Sequence, residues 1–135
     1  MPAPRESFAR AGQEYLRQLS QFATFHKRLM ESLASEPIPS LDIRPIDDPT
    51  TIQISFVGRT FRFRHRLMTT AAMVDPQCRF SSHIACERES SGIDPLDLTV
   101  DTHGNVTVSV NGNSIGNIEK DPLKVLFTVM NHLAS

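Results

Sequence analysis

Between residue 8 and about residue 34 apolar side chains recur at helical spacing. Phe8, Tyr15, Phe22 and Leu29 stand seven apart, Gly12, Leu19, His26 and Leu33 interleave with them, and Leu16, Ala23 and Met30 widen the stripe. This period predicts one long helix laid on a core. Ser7 stands where a cap is expected, residues 1–7 are expected to be a flexible lead-in, and Pro37 and Pro39 stop continuation. About 27 residues at 1.5 Å each make a rod of roughly 40 Å, against roughly 20 Å for a six-residue strand. Part of the helix is therefore expected to overhang the sheet or meet a second copy. Phe22, Phe25 and Leu29 are the expected self-association residues, with Phe25 at the rim of the stripe.

From Ile38 the pattern turns to period two. Leu41–Ile46 reads as a short edge strand, kept from a central position by Pro45. Thr51–Val57 and Thr60–Arg66 read as a hairpin across Gly58-Arg59, a glycine-led loop suited to a type II′ turn. That register sets Ile52, Ile54 and Phe56 opposite His65, Phe63 and Phe61. Alternation then turns Arg62, Arg64 and Arg66 to the other face, beside Gln53 and Ser55.

Further strands are expected over Cys78–Glu87, Leu96–Val100, Val106–Val110 and Ser114–Ile118, with Asn111-Gly112 as a two-residue hairpin loop. Asp121 as cap and Pro122 at the first helical position open a final helix to Ala134. Leu123, Leu126, Phe127, Met130 and Leu133 are its core side. The sum is one α+β domain over residues 1–135. It has a long N-terminal helix, an antiparallel meander of six to seven strands, and a C-terminal helix packed on one sheet face.

Composition keeps this picture and narrows it. A chain of 135 residues, 39% hydrophobic and 21% charged, is long enough for one globular core. Its apolar runs are too short for a membrane span or an export signal, so a cytoplasmic location is expected. Cys78 and Cys86, if carried on one strand, stand roughly 26 Å apart, well beyond the roughly 7 Å a disulfide allows. Net charge is −1, yet residues 59–88 carry a balance of +4 and residues 89–135 one of −4. Such complementarity can be met within one molecule or between two copies. A nucleic-acid binder would carry an overall basic balance.

Candidate chemistry is sparse. No glycine-rich phosphate loop is present, and no cofactor is expected. Cys78, His83 and Cys86 have the spacing C-x4-H-x2-C, with His65 on a nearby strand, which matches no zinc pattern; no metal is expected. Nucleophile and base could be Cys86 with His65, or Ser82 with His83 and Asp97, while Asp97 and Asp101 stand too far apart, at about 13 Å, for paired-carboxylate hydrolysis. No motif selects an enzyme. His26, central in the helix stripe, is expected to bond a backbone carbonyl or the sheet.

The arginine stripe is the sharpest feature. Arginine suits bidentate carboxylate contacts and interface anchors. The expectation is a non-catalytic accessory, immunity or chaperone-like module that binds an acidic protein patch through Arg59, Arg62, Arg64 and Arg66 and forms a homo-oligomer. The alternative is nucleic-acid binding through the same arginines extended by Arg79, although Phe61 and Phe63 point away from such a surface. A third reading is a small enzyme or ligand carrier with a pocket converging on His26, His65 or Cys86.

Overall fold

The computed structural model describes residues 4–44 and 48–134. Helix α1 (Pro4–Ser35) opens on proline, which lacks the N–H that a first turn leaves unbonded. The helix thus starts ahead of the expected cap. Ser7 lies inside it, 2% exposed, with its Oγ unbonded. The buried side is also rotated from the expected stripe. Ala11, Gln18, Phe22, Phe25 and Leu29 face the core, whereas Phe8 and Leu16 are exposed. Phe25 is fully buried and lies over Phe63, with ring centroids 6.3 Å apart. Phe22, Phe25 and Leu29 are therefore occupied within the chain's own core. The expectation that they form a self-association surface is corrected by that placement.

Among the described residues seven strands follow: β1 (Leu41–Arg44), β2 (Thr51–Phe56), β3 (Arg59–Thr69), β4 (Phe80–Arg88), β5 (Leu96–Val100), β6 (Asn105–Val108) and β7 (Ser114–Asn117). Each pairs antiparallel with the next, so the sheet is a meander in chain order that curls into a half-barrel. Pro45 and Ile46, expected to end β1, lie outside the described residues. In the β2–β3 hairpin Ile52 pairs with Phe63, Ile54 with Phe61, and Phe56 with Arg59. The register is offset by two residues from the expected one. The loop is Val57-Gly58, with φ of 45° and 79°. Two successive positive φ values are the signature of a type I′ loop, whose twist matches the flanking strands. An offset of two leaves every side chain on its expected face, since side chains alternate with period two.

Between β6 and β7 the loop spans 109–113. The Gly112 N–H donates to the Val108 carbonyl at 2.7 Å, and the Val108 N–H to the Asn113 carbonyl at 2.9 Å. An irregularity at Val106/Thr107 moves the turn off the expected two-residue site and leaves Val110, expected on a strand, 89% exposed.

Helix α2 (Pro122–Leu133) begins where expected, but the Asp121 carboxylate accepts from the Asn117 backbone N–H and caps no helix N–H. Val125, Leu126, Val129, Met130 and Leu133 are buried, while Phe127, expected inward, is 42% exposed. Both helices join the inward side chains of the sheet in one core cluster, and no described helix covers the other face. No described helix is long and apolar enough to cross a membrane.

Candidate functional site: the outer face of the sheet

The outer face is ordered in rows by strand register. One row runs Arg44, Gln53, Arg62, Glu87 across β1 to β4. A second runs Thr51, Arg64, Ala85, Asp97, and a third Arg66, His83, Thr99, Thr107. Alternation thus delivers Arg62, Arg64 and Arg66 to one surface. Arg59 is three residues from Arg62 and so has the opposite parity. It lies instead beside α2, lining a groove of about 590 Å³ with Phe56, Val57, Phe61, Phe127 and Met130. The four arginines therefore do not form one patch. Arg44 joins the stripe unannounced by the arginine run. Its signal is the Leu41-Asp42-Ile43-Arg44 alternation.

The charges of this face are lightly held. Arg62 reaches Glu89 at 3.5 Å and Arg64 reaches Glu87 at 3.7 Å, both long contacts in solvent. Such exposed pairs are worth about 0–1 kcal/mol. The Arg66 side chain has no hydrogen bond or ion pair among the described residues. The acids that answer the stripe are Glu87 and Glu89, one strand away.

Asp97 is engaged elsewhere. Its Oδ2 lies 2.7 Å from His83 Nδ1, and His83 Nε2 lies 3.1 Å from Ser81 Oγ. Ser82, the serine singled out from the sequence, is buried on the inner face. The Ser81–His83–Asp97 row has the order of an acyl-transfer relay. A hydrolase also needs N–H donors aimed at a developing oxyanion. A strand whose backbone pairs on both sides from Ser82 to Cys86 does not supply them. The row holds His83 upright between Arg66 and Thr99.

The other candidates are separated or sealed. Cys78 and Cys86 are buried free thiols. Burial, aided by the Asp97 charge, pushes the Cys86 thiol well above its usual pKa, which makes it a poor nucleophile. His65, its expected base, bonds Gln18 Oε1 through Nε2 at 2.8 Å, with Tyr15 and Phe22 rings beside it. Gln18 Nε2 donates in turn to Glu14 at 3.1 Å, and Glu14 pairs with Arg17. His83 and Cys86 face opposite sides of β4. Among the described residues no cluster of three or more His, Cys, Asp or Glu is placed to hold a metal ion. His26 does not make the expected carbonyl bond. Its Nε2 is buried without a partner.

Burial lowers the pKa of both His65 and His26 from the usual 6.5. The fold keeps these rings neutral, whereas the unfolded chain protonates them below that value. Stability should thus be level above about pH 6.5 and decline as the pH falls below it. Glu14, lowered from 4.5 by its hydrogen bond to Arg17, adds a loss only at more acid pH. Urea midpoints measured from about pH 7.5 to about pH 5 should fall, and the H26L/H65Q variant should flatten that decline. An equal slope in the variant would remove the histidines as its cause.

No protein-family model, curated protein or solved structure matches this chain.

Proposed function

We propose that this chain is a non-catalytic protein-interaction module whose outer sheet face binds an acidic patch on a partner protein. The observation that carries this reading is Arg62, Arg64 and Arg66 aligned on a helix-free face, in long, solvent-exposed ion pairs or none. A partner carboxylate can displace Glu87 or Glu89 at little cost, because the existing pairs are weak. Guanidinium groups then offer bidentate contacts. Fixed neighbours such as His83 give the face a defined shape, which favours recognition over mere solubility.

Nucleic acid is less well served by this surface. Its aromatic neighbours Phe61 and Phe63 are core residues, so bases find no stacking platform, and Glu87 and Glu89 would face phosphates. A ligand pocket is also poorly supported, since the grooves flanking α2 are lined by none of His26, His65 and Cys86.

The test is the R62S/R64S/R66S variant. Proteins captured by the wild-type chain should be lost by at least about tenfold, while the thermal midpoint moves by no more than a few degrees. A loss of many degrees would make the stripe structural. Capture that survives the substitutions would move the binding surface elsewhere, and a salt-removable absorbance at 260 nm in the purified protein would favour nucleic acid.

A further inference from the structure

Helix α1 carries a second apolar stripe that the core covers only in part, as where Leu33 packs against it. Leu16 is 66% exposed and Met30 41% exposed; Ala9, Gly12 and Ala23 are exposed, and Leu19, His26 and Leu33 are half-buried. Every seventh residue from Ala9 to Met30, and every seventh from Gly12 to Leu33, lies on this flank. The two series are offset by three, which is the a and d spacing of a helix–helix seam sustained over four heptads. The stripe is distinct from the ridge of Phe22, Phe25 and Leu29 that faces the sheet.

We propose that this flank packs antiparallel against the same flank of a second copy, with the two-fold axis passing beside residue 21. In that alignment Gly12 meets the partner's Met30, Leu19 meets the partner's Ala23, and Leu16 lies over the partner's His26. The first two layers set a small residue against a large one, the arrangement that fills space without strain. A parallel alignment in register would set Gly12 on glycine, Ala23 on alanine and Leu16 on leucine, alternating voids with crowding. The seam is thus self-complementary in one direction only.

Charge points the same way. The antiparallel alignment carries the partner's Arg5, and the positive end of its helix, to the C-terminal end of α1. That end of α1 has no basic residue in its last turn, so the negative end of the helix there is uncompensated within the chain. Arg5 has no ion-pair partner among the described residues. By symmetry the contact forms twice, and the two helix dipoles oppose. The surface lies in the helix layer and does not rest on the outer-face reading; R62S/R64S/R66S should leave the dimer intact.

Light scattering on the eluting protein tests this. The wild-type chain should run as a dimer. Leu16→Glu should raise the dimer Kd by roughly a thousandfold, the effect of uncovering a leucine on each copy, with an unchanged far-UV spectrum and thermal midpoint of the monomer. Direction is read by cysteine pairing: after oxidation a mixture of the L16C and H26C chains should cross-link to each other, and neither should cross-link alone. A wild-type chain that stays monomeric at about 100 µM overturns the proposal, including the case in which it instead takes up a foreign amphipathic helix or a vesicle through Leu16. So does a Leu16→Glu chain that remains dimeric, or an L16C chain that cross-links by itself.

Discussion

Phe25→Ala is expected to lower the free energy of unfolding by about 3–5 kcal/mol, the range for deleting a buried aromatic ring. Phe25 has no exposed surface, and its ring lies over Phe63, which is itself fully buried at the centre of β3. Alanine there leaves a cavity between helix and sheet that neither layer readily closes, because α1 is tied to the sheet by two bonds in the turns just before it. Gln18 bonds His65, and Gln21 Nε2 donates to the Asp101 carbonyl at 2.8 Å. Urea denaturation of Phe25→Ala beside Leu16→Ala separates the two stripes of this helix. The exposed leucine should cost no more than about 0.5 kcal/mol under conditions where the chain is monomeric. Equal midpoints for both variants would show that the buried side of α1 has been misassigned.

Asn117→Ala is expected to cost about 3 kcal/mol, although it removes only one small polar group. Asn117 is 8% exposed, and its amide is bonded on both ends. Nδ2 donates to the His103 carbonyl and to Asn105 Oδ1, each at 3.0 Å, while Oδ1 accepts from the N–H groups of Glu119 at 2.9 Å and Lys120 at 3.1 Å. One side chain thus ties the β5–β6 turn to the segment leading into α2. Removing it deletes four part-buried bonds at once, and their sum sets the cost. Asn117→Asp should fall between wild type and alanine, since it keeps the acceptor and loses the donor. Amide exchange at Glu119 and Lys120 should accelerate in the alanine variant. Unchanged exchange there would mean that the bonds contribute nothing to holding this junction.

How far the chain discloses itself depends on which periodicity is asked. Period two was legible in the strands: the faces of Ile52, Ile54, Phe61, Phe63 and the three arginines follow from alternation, and survive a hairpin register two residues from the expected one. The turn itself was obscured because a β-branched residue is a poor occupant of positive φ, so Val57 did not read as a loop residue. Along α1 the apolar arc is about half the helix circumference. Two stripes share it, and only tertiary contact decides which one the sheet takes; a wholly buried Gln18 at the centre of the chosen side gave no apolar signal. At the candidate site parity alone could have excluded Arg59 and admitted Arg44. The acids opposite the stripe depended on register across β3 and β4, which no local pattern sets.

The order in which this chain is made gives the position of α1 a further meaning. The helix precedes the sheet, yet it packs on β3, β4 and α2, all of which are made after it. At about 5–20 residues per second, synthesis from Leu29 to Leu133 takes roughly 5–21 s. Throughout that interval part of the cover of α1 is still missing, because α2 is made last. The meander can meanwhile assemble hairpin by hairpin, since each strand pairs with the one just made. Complete docking of α1 is therefore a late event on the ribosome, and among the elements of this fold the helix is the one that holdase chaperones have longest to engage.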